Sequence, residues 1–444
     1  MYLVYTAVIV AFFLAASPYF AWQALRHKKY VGSLGQRFGR LPVGVNAEGD
    51  PSIWIHAVSV GEVLTARAIL PELRTRYPHL RLFLSTTTMT GQQVARGNAR
   101  DVDAVFYFPF DLPFVVRRLV GQLRPRLFVM METEIWPNLL RACREAGAKT
   151  VIVNGRISAR SYPRYRLARP FFRRVLAHVD RFCMQSDESA RRVVDIGADA
   201  ARVTVTGSLK FDSLDWSEGG PAARGRDRVL RFLRVAEGRT VVIAASTLRG
   251  EERAVVAAFR QLRRTVPDAL LIIAPRHPER FDEVTVLGRE EGFRVERRSE
   301  RTIDTEVRAD VVVLDTIGEL ARVYQVGTLV FVGGSLVDAG GHNILEPAVF
   351  GRPVIVGPHM HNFQEIAEAF LAAGAAVQVK SERELAETLV ALAGDPVRRA
   401  SLGAAGRALV EANRGARERT LAAIEALLPT ADPRRGVVPF RRMP

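Results

Sequence analysis

The stretch SIWIHAVSVGEV, residues 52–63, decides the fold. From Ser52 to Val58 it carries no Asp, Glu, Lys or Arg and is rich in β-branched and aromatic side chains, the composition of a buried strand. Ser59, Val60 and Gly61 make a turn, and Glu62 opens a helical pattern that runs to about Arg76. Strand, tight turn and helix form the repeating unit of a parallel α/β sheet. The same rhythm continues outward, with strands expected over Leu80–Ser85, Leu127–Met131, Thr150–Val153 and Arg181–Met184. It restarts with Thr240–Ala245, Ala269–Ala274, Val311–Leu314, Thr328–Val332 and Pro353–Val356, and helical patterns follow from about Asn362 to Leu428. Between the halves, residues 214–226 hold Gly219, Gly220, Pro221 and Gly225 with no apolar period, which marks a linker. The expectation is two doubly wound domains, 33–213 and 227–428, facing a cleft, with a Pro- and Arg-rich tail over 429–444. In such sheets ligands bind beyond the carboxyl ends of the strands.

The composition agrees with folded domains. The chain has 444 residues, 48% hydrophobic and 25% charged, which excludes a disordered chain and a polytopic membrane protein. Two cysteines, Cys143 and Cys183, exclude a disulfide framework or a Cys-rich metal site and suit small buried hydrophobes. Lys and Arg number 63 against 47 Asp and Glu, a net charge of +16. Such a balance calls for an anionic partner: nucleic acid, anionic lipid or a phosphorylated ligand. Residues 1–25 contain no charged side chain, and Arg26, His27, Lys28 and Lys29 follow. About 20 apolar residues cross a bilayer core, so this segment is expected to be a membrane anchor. Its charge follows the apolar run, unlike a secretory signal, and the positive-inside rule puts the N-terminus outside and the body in the cytoplasm. A surface helix that never spans is the alternative, since Pro18 can break the run.

Polar residues gather at the expected strand ends. Glu62 follows the first strand, where a carboxylate serves either as a general base or as a helix cap. The second strand ends in Ser85, Thr86, Thr87 and Thr88, a hydroxyl run suited to an oxyanion or sugar, or to plain β-structure with a Thr cap. The strand to Met131 runs into Glu132, Thr133, Glu134, Ile135, Trp136, Pro137 and Asn138. If the strand continued, Glu132 and Glu134 would share a face and need a proton or a cation, which Arg156 or Lys210 can supply; a salt-bridged structural acid is the other reading. In the second half Ser246 and Thr247 lead through Gly250 to Glu251 and Glu252. Pro275, Arg276 and His277 end another strand, and arginine suits planar recognition of phosphate. Thr316, Ile317, Gly318 and Glu319 end a third. Gly333, Gly334 and Ser335 end the fourth and lead to a glycine-rich loop, Gly340 to Pro347, in which Glu346 is placed to hold ribose hydroxyls. Neither Gly-x-Gly-x-x-Gly nor a Gly-Lys-Ser/Thr loop occurs, against dinucleotide and NTPase chemistry.

Taken with the apolar N-terminus, the motifs Ser59-Val-Gly-Glu62, Glu132-Thr-Glu-Ile-Trp-Pro-Asn138, Lys210-Phe-Asp212, Pro275-Arg-His-Pro-Glu-Arg280 and Gly340-Gly-His-Asn-Ile-Leu-Glu-Pro347 span essentially the whole chain. The sequence resembles the 3-deoxy-D-manno-octulosonic acid (Kdo) transferases, lipid A glycosyltransferases of Gram-negative bacteria. The resemblance implies a GT-B fold of two Rossmann-like domains, an inverting reaction with no metal ion and no cofactor, CMP-Kdo as donor, and a lipid A precursor (lipid IVA) as acceptor. It also implies an inner-membrane site with anionic lipid as a partner and no nucleic acid. By motif, Glu62 is the general base, and Glu132 and Lys210 stabilise the transition state. Ser246, Pro275, Arg276, Ile317, Gly318, Glu319, Asn343, Ile344, Leu345 and Glu346 bind CMP. The chain departs from the family pattern at Leu248, where many relatives have His, and at Ser208 and Leu209. A GT-B transferase using a UDP-sugar is the alternative donor reading. A membrane-tethered nucleic-acid binder is the alternative of another class, although aromatic residues do not interleave with basic ones as such a binder requires.

Overall fold

The computed structural model describes residues 2–27, 31–42, 44–97, 99–212 and 229–429. The chain divides into two compact units, one of Met1–Ser213 together with the stretch from Arg414, the other of Leu214–Asn413. The expected linker over 214–226 and the tail beyond Pro429 lie outside the described residues.

The first unit holds a seven-stranded parallel sheet in the order β3-β2-β1-β4-β5-β6-β7. Its strands are β1 (Ser52–His56), β2 (Arg81–Thr86), β3 (Ala104–Tyr107), β4 (Pro125–Met131), β5 (Lys149–Gly155), β6 (Arg181–Met184) and β7 (Val203–Val205). All five residues of β1 are buried, because helices cover both faces and leave no room for alternation. Ile53 pairs with Leu82 on one side and Leu127 on the other. Trp54 packs on Phe106, Phe108 and Phe128, and its Nε1 donates to Ser85 Oγ at 2.8 Å. Helices α1 (Tyr2–His27), α2 (Val60–Ala66), α3 (Pro137–Glu145) and α4 (Arg169–Leu176) belong to this unit. The one helix expected to run from Glu62 to about Arg76 is two, with the second beginning at Leu70 where Pro71 takes a first-turn position.

The second unit repeats the plan in the order β10-β11-β9-β8-β12-β13-β14. Its strands are β8 (Val241–Thr247), β9 (Leu270–Pro275), β10 (Val295–Arg297), β11 (Val311–Val313), β12 (Leu329–Val332), β13 (Val354–Val356) and β14 (Ala376–Gln378). Helix α5 (Glu251–Leu262) follows β8, and the short α6 (Leu345–Val349) follows the glycine-rich loop.

The last helix, α7 (Ala416–Leu427), does not belong to the second unit as expected. Its Ala416, Leu421 and Ile424 are buried in a cluster with Ile53, Val129 and Val151 of the first sheet. Asp212 fixes its start by accepting from Gly415 N at 2.9 Å and Arg417 N at 2.6 Å. Arg76 pairs with Glu418 and Glu425 along it. The second domain therefore ends at Asn413 and not at 428.

Among the described residues no helix is long and apolar enough to cross a membrane. The start of α1 is instead tied to its own unit. Tyr5 donates to Asp111 Oδ2 at 2.9 Å, Asn138 Nδ2 donates to Thr6 Oγ1 at 3.2 Å, and the Tyr2 hydroxyl meets His178 Nε2 at 2.8 Å. These bonds pack the first turns of α1 against the first unit.

Candidate active site

In the first unit the acids follow the carboxyl ends of β1 and β4, and Lys210 lies in the segment after β7, which the end of β5 holds in place. Ser59 caps α2: its Oγ accepts from Glu62 N at 3.4 Å and donates to Glu62 Oε1 at 3.0 Å. Val58 N donates to Glu62 Oε2 at 2.9 Å. Glu62 is thus a cap, as one of the two readings had it, and the cap fixes its carboxylate. The residue is only 7% exposed. Burial, then the charge of Glu132, pushes its pKa up to about 8, against the bond from Val58. A carboxyl that titrates near neutrality can take up a proton at working pH.

The strand before Glu132 ends where the sequence places its end. β4 stops at Met131, and Glu132 turns to φ 55°, in the left-handed region, with its N–H bonded to Val153 O at 2.9 Å. Glu132 and Glu134 therefore do not alternate along a strand, yet they still interact. Burial and the Glu132 charge raise the Glu134 carboxyl to about 7. The cation is Lys210, whose Nζ lies 3.9 Å from Glu132 Oε1. Arg156 meets the Glu132 loop through its backbone, with N–H on Thr133 Oγ1 at 3.1 Å. Asn154, also left-handed at φ 55° and fully buried, accepts from Leu209 N at 2.9 Å and so fixes the chain beside Lys210. The hydroxyl run is largely internal: Ser85 serves Trp54, Thr86 donates to Gln92, and Thr88 caps Gly91 N.

In the second unit the strand ends form a cradle. Ser246 is a left-handed bulge in β8 at φ 53°, and Arg276 N donates to Thr247 O at 3.0 Å just past Pro275. Gly333 allows the close approach of β12 to this bulge, since a Cβ there would lie 2.7 Å from Ser246 O. The buried carboxylate of Glu251 ties the loops together. Oε2 accepts from Leu248 N at 2.9 Å and Gly334 N at 2.7 Å; Oε1 accepts from Ser335 N at 3.0 Å and Leu336 N at 2.9 Å. A Glu251→Gln side chain turns an NH2 toward two of those donors. Each unmet buried donor costs about 1–3 kcal/mol, so the apparent Tm is expected to fall by roughly 5–10 °C in a calorimetric scan.

Arg276 is exposed, and its charge reaches both His342 and Glu346. Burial raises the Glu346 carboxyl, and Asn343, whose Nδ2 donates to Glu346 Oε1 at 3.2 Å, opposes the rise together with Arg276. Burial, then Arg276 and His277, lowers His342 to about 4, so its ring is neutral at pH 7; its buried Nε2 has no hydrogen-bond partner among the described residues. Ile344 and Leu345 are fully buried, which leaves only their backbone to meet a ligand. Ile317 is 86% exposed beside Gly318, while Glu319 accepts from Thr316 Oγ1 at 2.7 Å and from Arg298 Nη2 at 2.8 Å. Arg298 is buried with its guanidinium 3.7 Å from the Phe232 ring centroid. The sequence singled out neither Arg298 nor the tie made by Glu251, because both depend on contacts between distant segments. Among the described residues no group of three or more His, Cys, Asp or Glu is placed to hold a metal ion.

Two sequence families match the chain: glycosyl transferases group 1 over residues 229–409, and 3-deoxy-D-manno-octulosonic-acid transferase over residues 32–213. The structure of UDP-GlcNAc 2-epimerase from Neisseria meningitidis covers 85% of the chain with a TM-score of 0.57 at 12% identity, a likeness of fold alone. Two parallel α/β units of this kind are consistent with the GT-B architecture, and the chain is a glycosyltransferase. The 3-deoxy-D-manno-octulosonic acid transferase of Haemophilus influenzae is 35% identical over 406 residues, 90% of this chain and 92% of that protein. The C-terminal CMP-Kdo binding domain of WaaA from Acinetobacter baumannii is 33% identical, with a TM-score of 0.37 over 39% of this chain and 91% of that one. The chain belongs to the Kdo transferase family.

Proposed function

We propose that this chain moves Kdo from CMP-Kdo to a hydroxyl of a lipid A precursor, lipid IVA, in lipopolysaccharide core biosynthesis, with inversion and without a metal ion or cofactor. The first unit takes the acceptor and the second the CMP-sugar. The observation that carries the reading is Glu62, held by Val58 and Ser59 and raised to about 8 beside the Glu132–Lys210 pair, in a chain of this family.

In the reaction, ionised Glu62 takes the proton of the acceptor hydroxyl. The hydroxyl oxygen bonds to the anomeric carbon on the face opposite the phosphate. The bond from that carbon to the phosphate oxygen breaks, and its electrons leave with CMP. Glu132 and Lys210 offer charges of both signs to a transition state in which the sugar gains positive charge and the leaving group negative charge. Arg276 meets the phosphate, with the neutral ring of His342 beside it. Ser246, Pro275, Ile317, Gly318 and Glu319 hold the nucleotide with Asn343, Glu346 and the backbone of Ile344 and Leu345. A single phosphate lowers the need for a divalent ion that a diphosphate donor imposes. The acceptor is a lipid, so the body works at the cytoplasmic face of the inner membrane, held by the N-terminal segment and by the basic surface on anionic lipid.

Calorimetric titration with CMP and with UDP tests the donor assignment. CMP is expected to bind at least about tenfold more tightly, a difference of about 1.4 kcal/mol; equal or tighter UDP binding favours a UDP-sugar donor. The pairing of Arg298 with Glu319 gives a second expectation. Arg298→Met releases Glu319 and should raise KM for the donor about tenfold, with kcat changed less than about threefold. Steady-state kinetics at varied donor check it, and an unchanged KM removes Glu319 from the nucleotide site.

A further inference from the structure

Over residues 2–15, helix α1 has its amphipathic faces reversed with respect to a soluble helix. Its polar groups point inward: the hydroxyls of Tyr2, Tyr5 and Thr6 bond to His178, Asp111 and Asn138. Tyr5 and Phe13 add ring contacts to Phe171 and Phe110 at 5.7 and 4.5 Å. The opposite face carries Leu3, Val4, Val8 and Leu14, with Leu3 86%, Val8 62% and Leu14 69% exposed. These positions recur at helical spacing, and the exposed positions between them, Ala7, Val10 and Ala11, are apolar as well. An apolar stripe of this kind is costly in water and free of cost in acyl chains.

Charge surrounds the stripe. Arg141 stacks over the Tyr2 ring at 5.2 Å, and Arg117 and Arg141 share a hollow with Tyr2, Leu3 and Thr6, where both pair with Glu145, two cations to one carboxylate. Helix α4, which meets Tyr5 through Phe171, carries exposed Arg169 and Arg173. Apolar side chains flanked by arginine complement an anionic leaflet: acyl chains below, phosphates at the level of the guanidinium groups.

We propose that α1 lies along the cytoplasmic leaflet rather than through it, with Leu3, Val4, Val8 and Leu14 in the acyl region. The N-terminus stays on the side of the body, and the flanking arginines rest on anionic headgroups. The proposal deepens the membrane location proposed above and rests on it. The helix of 26 residues is about 39 Å long at 1.5 Å per residue, so its length alone does not separate spanning from lying flat. The bonded first turn does.

Two experiments on the full chain test this. With a protease-cleavable tag at the N-terminus, cleavage is expected in inverted membrane vesicles and not in intact spheroplasts. Cleavage in spheroplasts shows a span and overturns the proposal. In the second, purified wild type and the double variant Val8→Asp, Leu14→Asp are sedimented with phosphatidylglycerol–phosphatidylethanolamine vesicles. The variant is expected to bind about tenfold more weakly, while its Kdo transfer in detergent stays within about twofold of wild type, which shows that it is folded. Undiminished vesicle binding by the variant overturns the proposal. A wild-type chain that is soluble in cells and binds no vesicles overturns the membrane location as well, and the detergent assay still reports separately on transfer.

Discussion

Glu62→Gln is expected to keep the fold and CMP binding while turnover drops by about 10²–10⁴-fold, the range for loss of a general base. The substitution separates the two duties of Glu62. Glutamine retains a carbonyl oxygen that can accept from Val58 N, so the start of α2 stays capped. It cannot take a proton from the acceptor. The pH dependence gives the sign. With its pKa raised to about 8, Glu62 is mostly protonated at pH 7. Wild-type kcat/KM should therefore rise with pH and level off above about 8, and the residual rate of the glutamine variant should not show that rise. Removing the neighbouring charge with Glu132→Gln should move the wild-type rise to lower pH, since Glu132 is among the causes of the shift. Stability runs the other way. The folded chain binds this proton more tightly than the unfolded one, so stability falls between about pH 4.5 and 8 as the carboxyl is forced to ionise. Glu62→Gln removes that loss and should be no less stable than wild type at pH 8. Near-normal turnover by the variant would take Glu62 out of the reaction.

Lys210→Met carries the second large effect. Lys210 is the cation 3.9 Å from Glu132, and Asn154 holds the adjoining backbone through Leu209. Its removal leaves Glu132 without that counter-charge beside Glu62 and Glu134, the two carboxyls that the Glu132 charge raises. Turnover is expected to fall about 10²–10³-fold, the cost of one electrostatic stabiliser, with the pH rise displaced upward. Lys210→Arg should recover part of the loss because it restores charge without the same reach. Steady-state rates across pH check this. A change confined to donor KM would place Lys210 in the nucleotide site instead.

Sequence reading found the inner strands of both sheets and missed the edges. Val295–Arg297 and Ala376–Gln378 flank the second sheet, and Ala104–Tyr107 and Val203–Val205 the first. Each is short and only partly buried, so it lacks the continuous apolar run by which a covered parallel strand is known. The placement of Glu62, Glu132 and Arg276 at strand ends was legible because the turn after each strand follows directly in the chain. The left-handed turn at Glu132 was not, since glutamate does not announce a positive φ. The return of α7 to the first sheet was hidden for another reason. It depends on Asp212 meeting Gly415 and on Ile424 packing beneath residues more than 200 positions away. The apolar run at the N-terminus showed that a hydrophobic helix was needed. Only the bonds of Tyr2, Tyr5 and Thr6 showed which way it faces.

The most direct test uses purified chain, CMP-Kdo, a tetra-acylated lipid A precursor and excess EDTA, with the lipid product weighed by mass spectrometry. A product heavier by a whole number of Kdo residues, formed as fast as without chelator, is the expected result. Failure to form it in EDTA with recovery on adding magnesium, or transfer from a UDP-sugar and none from CMP-Kdo, would contradict a metal-free CMP-Kdo transferase that uses Glu62 as its base.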